Sequence, residues 1–473
     1  MIASNLYSQN SFGTISSNYA PTNSVNINPS SMANSKTYLD INIVGAGVYA
    51  NNNLFLIPVN NWIGMLTGDQ KIDFKKDVFY DKQTLNLNRD VNLFVRGFVA
   101  GPGATWNKGD HAVGLAFNGR SYTAIQNMPA FIGGFLEKGF KGFTRQQGKL
   151  YDVNNMKFAS INFAEIKLSY ANTFYRKDKN LLAGGISIKK FYAISGAATN
   201  ISDLSFNVLN DSVFSVPKLD IDRMSSGLGV NKSGGMGFDI GVTYQRMLSQ
   251  CDSYLSHTAK SNCRIIPYKY KVGLSLIDIG SVKFDETKMT YGGYNYKDLT
   301  FLGDVDQTLT NYDSTLNIFS NQDDLTTGKV TKKNSIQLPS FFSAQFDYNV
   351  WASAFYVNAT IVQGLPRSAT RFGIQHASSL SITPRFETRF FEFALPFSLY
   401  GYKVPQLGMN LKLGPLTIGS DKFINWLINS DIYGGDIYVF FKAPITFHSK
   451  CREMVLHKRK AGGSFRSKID SAF

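Results

Sequence analysis

From Gly237 the chain reads GFDIGVTYQRM, and throughout that stretch Phe238, Ile240, Val242 and Tyr244 alternate with Asp239, Gly241, Thr243 and Gln245. A period of two places the first set on one face of a pleated strand and the second set on the other. The pattern returns from Tyr268 in YKYKVGLSLIDIG, where Tyr270, Val272, Leu274 and Leu276 oppose Lys271, Gly273 and Ser275. It returns again in QLGMNLKLG, where Leu407, Met409, Leu411 and Leu413 oppose Gly408, Asn410 and Lys412. Strands of soluble sheets usually run about five or six residues. About ten residues, tilted by roughly 45°, is what a strand needs to cross a bilayer.

A soluble β-sandwich also alternates, but its outward face carries Lys, Glu and Thr rather than this mixture of small and polar residues. Charged residues make up only 18% of the chain and aromatics 14%, a balance unlike that of a soluble helical enzyme. No run of eighteen apolar residues occurs, which excludes transmembrane helices. In a closed membrane barrel the two faces exchange roles, with apolar side chains toward lipid and small or polar ones toward the lumen. Closure is required because an open sheet edge would leave unpaired backbone groups in hydrocarbon. The sequence therefore predicts an all-β chain forming a transmembrane antiparallel β-barrel, with Gly45, Gly47, Asp239, Gly241, Thr243, Lys271, Gly273, Asn410 and Lys412 facing the lumen.

About fourteen strands follow from the same periodicity, near 37–50, 89–103, 109–122, 157–174, 181–195, 235–248, 266–283, 338–350, 352–363, 373–386, 389–402, 404–413, 415–422 and 434–447. GPGATWNKGD, YRKDKN and Gly414-Pro415 are short connections with turn chemistry, whereas 51–88, 123–156, 196–234 and 284–337 are long. Short periplasmic turns and long extracellular loops are the usual construction of outer-membrane barrels, and an even strand number returns both ends to the periplasm. Residues 1–36 are then an N-terminal periplasmic or lumen-entering segment, 37–447 the barrel and 448–473 a basic periplasmic tail. NLYSQ near the start reads like the end of a secretory signal peptide, so a longer precursor is expected.

NPSSMANS leading into VGAGVYANNN, then GFDIGVTY, VGLSLIDIGSVKF and LGMNLKLGPLTIGSDK, resemble an uncharacterised family of outer-membrane barrel proteins from Bacteroidota, distantly similar to the FadL-type transporters and to PorV and PorP/SprF. The resemblance spans most of the chain. It implies a FadL-like outer-membrane barrel, often with an N-terminal segment entering the lumen, and names no cargo, because one fold carries several functions. The chain departs from the family pattern in a Cys-bounded insertion at 251–263 and in the basic tail after Phe447.

No catalytic constellation emerges. His111, His257, His376, His448 and His457 show neither HExxH spacing nor an adjacent carboxylate arrangement, and no cofactor is expected. GLGVNKSGG at 227–235 lacks the Gly-Lys-Ser/Thr of a P-loop and reads as a flexible loop. His448, Cys451 and His457 supply only three candidate ligands for a metal. Cys251 and Cys263 bracket a short loop between two strands, and a disulfide between them, suited to an oxidising envelope, is expected, with Cys451 left over. The net charge of +15 is spread over strands, turns and loops without a nucleic-acid-binding motif, so lumen lysines and anionic lipid headgroups account for it more simply. The tail concentrates Lys450, Arg452, Lys458, Arg459, Lys460, Arg466 and Lys468 against Glu453 and Asp470, as either a solvated arm or a contact for an acidic partner. Two functions are consistent with these features. One is a non-enzymatic docking or accessory subunit of an envelope protein complex; the other is a FadL-like conduit carrying a small hydrophobic molecule through the lumen. The lumen residues read from the strands favour the first, because they suit a hydrated interior.

Overall fold

The computed structural model describes residues 11–53, 55–56, 79–80, 90–132, 148–210, 213–227, 229, 233–261, 263, 265–286, 289–302, 334–366, 372–423, 433–447 and 451. Fourteen strand positions pair antiparallel around a closed ring. They are β1 (Leu39–Asn52), β2 (Asp90–Lys108), β3 (His111–Pro129), β4 (Leu150–Lys177), β5 (Asn180–Asn210), β6 (Gly234–Met247) and β7 (Tyr268–Lys283). The ring continues through β8 (Phe341–Trp351), β9 (Phe355–Gly364), β10 (Ser379–Glu387), β11 (Phe391–Ala394 and Phe397–Tyr400), β12 (Val404–Leu407 and Met409–Leu413), β13 (Leu416–Ser420) and β14 (Gly434–Ile445). β11 is interrupted at Leu395-Pro396, where proline has no N–H to give to a ladder. Closure is made by β14 on β1, in register from Leu39 opposite Ile445 to Asn51 opposite Gly434.

The two rims differ. At the near rim, where β1 starts and β14 ends, Lys108 to His111, Lys177 to Asn180 and Leu413 to Leu416 are tight turns with Gly109, Asp178 and Gly414 at positive φ. Toward the far rim, β4 and β5 reach 28 and 31 residues, far more than a bilayer requires. Beyond the ring they pair into a ribbon with Val213–Ser226, which in turn pairs with Met289–Leu302. Tyr151, Val153, Phe206, Val208, Val216 and Leu219 give this ribbon an apolar core of its own. Much of the sequence predicted as connection in 123–156, 196–234 and 284–337 is therefore strand. The alternation that marks the barrel also runs through NISDLSFNVL and SVPKLDIDRM, so the periodic signal was present beyond the boundaries drawn.

Burial is inverted relative to a soluble protein. On β6, Phe238, Ile240 and Val242 are 44%, 54% and 37% exposed, while Asp239, Thr243 and Gln245 are at most 2% exposed. Exposed apolar residues continue around the ring in Val44, Val99, Leu115, Ile186, Leu274, Phe346, Ile361, Ile382 and Ile418. Exposed aromatics border this belt, with Trp106, Tyr170, Phe174, Tyr348, Trp351 and Phe390 at the near side and Tyr192 and Tyr402 at the far side. On β5, about ten residues separate Leu182, the partner of Tyr175, from Tyr192. At about 3.3 Å per residue and a tilt near 40° that distance is roughly 25 Å, the height of a lipid-facing band. Among the described residues no helix is long and apolar enough to cross a membrane.

Candidate functional site

Residues 11–38 do not lie outside the ring. They pass through it as two four-residue helices, α1 (Phe12–Ile15) and α2 (Pro21–Ser24), and a 3₁₀ turn at Pro29–Met32. The sequence sets these short elements. Pro21 and Pro29 begin helical turns, where a missing N–H costs nothing, and the Asn28 side chain caps the last turn by accepting from Ser30 N–H. Such short helices do not hold by themselves, so the segment is fixed by what it touches.

Those contacts come from strands all around the ring. Asn23 accepts from Lys442 at 2.6 Å, Asp40 accepts from Thr22 N–H at 3.1 Å, and Asn18 donates to Glu387 at 2.7 Å. The Ser17 hydroxyl donates to Glu392 at 2.6 Å, Ser30 meets Thr243 at 2.6 Å, and Asn34 donates to Gln245 at 2.8 Å. Wall glycines leave room for the segment. A Cβ on Gly185 would lie 2.4 Å from the Ser30 nitrogen, and one on Gly241 would lie 2.2 Å from Asn28 Oδ1.

Two charged clusters occupy the lumen. In the first, Arg385 donates twice to Asp347 at 2.7 Å and once to Glu387 at 2.9 Å, and Glu387 also takes Lys36 of the plug at 3.0 Å. In the second, Lys189 bridges Asp239 at 2.7 Å and Asp278 at 2.6 Å, while Arg120 bridges Asp278 and Glu165. Burial makes an unpaired charge costly, so such ions persist only where geometry neutralises them. Between the second cluster and plug residues Thr22–Ile27 lies a cavity of about 110 Å³. Toward the far rim the interior changes character. Tyr49, Phe94, Tyr122, Phe163, Phe191 and Phe284 form an aromatic layer, and Phe12 of the plug packs on Tyr400. A uniformly hydrated lumen, as the sequence predicted, describes only the near half.

The sequence-predicted lumen residues sit as follows. Asp239, Thr243, Asn410 and Lys412 are at most 5% exposed and inward, and Lys271 lies 3.8 Å from Asp347. Inward Cβ atoms on Gly45 and Gly47 would fall 2.3 Å from the Phe440 ring and 2.4 Å from the Phe98 ring. Gly241 and Gly273 face Asn28 of the plug. Arg385, Asp347, Glu387, Lys189, Arg120 and Asp278 were missed. Their signal was charge at an inward position of an alternating strand, as in ISIKKF and ITPRFETRF.

The expected Cys251–Cys263 disulfide is corrected. Cys263 is bonded to Cys451, with Cα atoms 5.4 Å apart, and Cys251 is a buried free thiol. The reason is the path of residues 248–267, which cross the near opening beneath the plug. Ser256 receives the Gly109 N–H at 2.7 Å, Tyr254 donates to Asn34 at 2.7 Å, and His257 Nε2 donates to the Ser35 carbonyl at 3.0 Å. The strap thereby reaches the wall where β14 ends. Burial holds the His257 imidazole down at about 4 and pushes the Cys251 thiol up. The tail residues Lys450, Arg452, Lys458, Arg459, Lys460, Arg466 and Lys468, and His448 and His457 with them, lie outside the described residues. Among the described residues no group of three or more His, Cys, Asp or Glu is placed to hold a metal.

A sequence profile described as a family of unknown function (DUF5723) matches residues 29–421, and the chain belongs to that family. No curated protein matches it in sequence. Among solved structures it is similar to the translocator domain of autotransporter NalP from Neisseria meningitidis, at 8% identity and a TM-score of 0.30, covering 86% of this chain and 88% of that one. It is also similar to a Pseudomonas aeruginosa FadL homologue, at 8% identity and a TM-score of 0.22, covering 92% and 96%.

Proposed function

We propose that the protein is an outer-membrane β-barrel whose lumen is closed by its own N-terminal segment and whose far-rim ribbon serves as a docking platform in an envelope protein complex. The ribbon carries this reading. Strands of 28 and 31 residues continue past the apolar belt into a sheet with its own core, and lipid crossing does not explain that extra length. Ion pairs and hydrogen bonds anchor the plug to opposite walls, which suits a scaffold better than an open pore. In this reading the ribbon is extracellular, both termini are periplasmic, and the basic tail engages an acidic envelope partner in a secretion- or gliding-type machine. A second reading, a conduit for a small hydrophobic molecule, draws on the aromatic layer above the plug.

Two measurements on protein purified from membranes in mild detergent separate the readings. Docking gives a stoichiometric co-purifying protein that is lost when the ribbon segment 200–226 is deleted, and no single-channel conductance in planar bilayers. A conduit gives bound apolar ligand in the extract and no partner, and that result overturns the docking reading.

A further inference from the structure

Two lysines stand on the wrong face of the wall. Among the described residues, every carboxylate that the ring carries between its aromatic borders is at most 3% exposed. In ISIKKFY of β5, Lys189 is buried with those carboxylates and pairs with Asp239 and Asp278. The next residue, Lys190, is exposed on the lipid-facing side between Ile188 and Tyr192, which are exposed with it. At the end of β7, Lys283 is exposed on the face of Ile279, while Val282 and Phe284 on either side of it are fully buried. The two lysines belong to one patch. Lys190 stands opposite Met236 of β6, and Met236 stands opposite Ser281 of β7. Lys283 lies two residues beyond Ser281, so two strand spacings of about 4.8 Å and two rises of about 3.3 Å put the lysine Cα atoms roughly 12 Å apart. Among the described residues no carboxylate, Asp285 included, stands within ion-pair distance of either ammonium, and neither has a hydrogen-bond partner. Their long stems let both ammoniums rise to the headgroup level that Tyr192 marks. On the belt side beneath them the wall is apolar, with Ile188, Phe238, Ile240 and Ile279 between 41% and 54% exposed.

We propose that Lys190 and Lys283 bind the phosphate headgroup of one acyl lipid in the leaflet at the far border, with its chains laid on Ile188, Phe238, Ile240 and Ile279. A single lysine here would be an ordinary snorkelling side chain. Two unneutralised cations, on strands with one strand between them and above an apolar wall, repel each other until an anion joins them, and the anion available at this depth is a lipid headgroup. Phosphate is the common anion of acyl lipids, and lysine binds it as a point charge. The site requires only a lipid-facing belt, so it stands whether the protein docks a partner or conducts a ligand.

The test takes the full-length barrel, purified and delipidated in a non-ionic detergent, and titrates it with dioleoylphosphatidic acid, dioleoylphosphatidylcholine, dioleoylglycerol and inorganic phosphate. Bound lipid is counted by native mass spectrometry, and the thermal unfolding midpoint is followed alongside. The expected result is saturable binding of one phosphatidic acid per barrel with a rising midpoint, about tenfold weaker binding of phosphatidylcholine, and no saturable binding of dioleoylglycerol or inorganic phosphate. Lys190→Ala combined with Lys283→Ala weakens phosphatidic acid binding about tenfold or more, and the corresponding pair of arginines retains it. Lys403→Ala, at an exposed lysine in the β11–β12 turn of the same rim, leaves binding unchanged. Equal binding of phosphatidic acid and phosphatidylcholine overturns the proposal, and so does inorganic phosphate binding as tightly as the lipid. Undiminished binding in the double alanine variant, or an equal loss in Lys403→Ala, overturns it as well. Both lysines are exposed, so their removal leaves the fold intact; the wild-type lipid series decides on its own if it does not.

Discussion

Arg385 is fully buried and holds two carboxylates, Asp347 and Glu387, one of which also holds Lys36 of the plug. Its value to the fold lies in what its removal would leave behind. Arg385→Met removes the guanidinium that neutralises two buried anions, leaving Glu387 with Lys36 and Asp347 with only the more distant Lys271, and is expected to cost about 3–5 kcal/mol in urea unfolding from lipid vesicles. Adding Asp347→Asn removes one stranded charge and should restore part of that loss; a double variant less stable than the single one would contradict the account. His257 makes a different residue-scale prediction. Folded, its imidazole titrates near 4 because burial disfavours the cation, while the unfolded group titrates near 6.5. The unfolded state therefore binds the proton first as pH falls. Stability is full above about pH 6.5, declines between about 6.5 and 4, and is flat below, for a total of at most about 3 kcal/mol. Protection factors for hydrogen exchange in residues 248–267, each rate taken relative to the intrinsic rate at the same pH, should fall through that window, and His257→Gln should flatten the dependence. A wild-type strap whose protection does not change from pH 7 to 4 contradicts the linkage. None of these pairings was legible in the sequence. Arg385 and Asp347 are 38 residues apart, and Lys189 and Asp278 are 89 apart; each pair lies on two strands with one strand between them, β8 and β10 or β5 and β7, so strand register rather than local spacing brings them together.

The elements divide into those that local pattern specifies and those that depend on another part of the chain. β6, β7 as far as Leu276, and β12 were legible because apolar and small or polar residues alternate along them, and Phe238, Ile240 and Val242 sit on the outward face that the pattern assigned; in β7 the alternation slips between Leu276 and Ile279, where Ile277 and Asp278 are both buried. The plug was legible only as a segment of turn-forming residues, since its conformation is set by walls about 200 residues away, as in Asn34 with Gln245. The cysteine pairing misled for the same reason. Cys251 and Cys263 are near in sequence, but the strap carries Cys263 across the opening to Cys451. The fit of plug to wall can be tested at Gly185, where an added Cβ would meet plug backbone at Ser30 and Pro29 rather than a side chain able to turn away. Gly185→Val is expected to leave a heat-modifiable barrel and to unseat Pro29–Met32, making residues 11–38 sensitive to protease. Gly97→Ala, whose added Cβ has its nearest neighbour at 3.7 Å, should keep the plug protected. A Gly185→Val barrel with a fully protected plug would argue that the turn is not held against β5.

At the scale of the whole molecule, the closed ring and its apolar exterior define a lipid-facing belt, and the ribbon defines where that belt must stop. Ile240 and Leu274 lie on the outward face midway between the aromatic borders, whereas Leu150, 58% exposed, lies at the far end of β4 on the ribbon. The three side chains are similar in size and all exposed, so a difference among them on substitution reports their surroundings and not their packing. A cation at the centre of a lipid-facing barrel wall costs about 2–4 kcal/mol, and one beyond the interface about 0–1. Ile240→Arg and Leu274→Arg should each therefore lower folding stability in phosphatidylcholine vesicles by about 2–4 kcal/mol, and Leu150→Arg by less than about 1. The comparison reads the position of the membrane directly, because lumen contacts are untouched in all three variants. Equal costs at all three sites would carry the belt onto the ribbon and remove the surface that docking requires, while negligible costs at Ile240 and Leu274 would place the apolar exterior against something other than lipid.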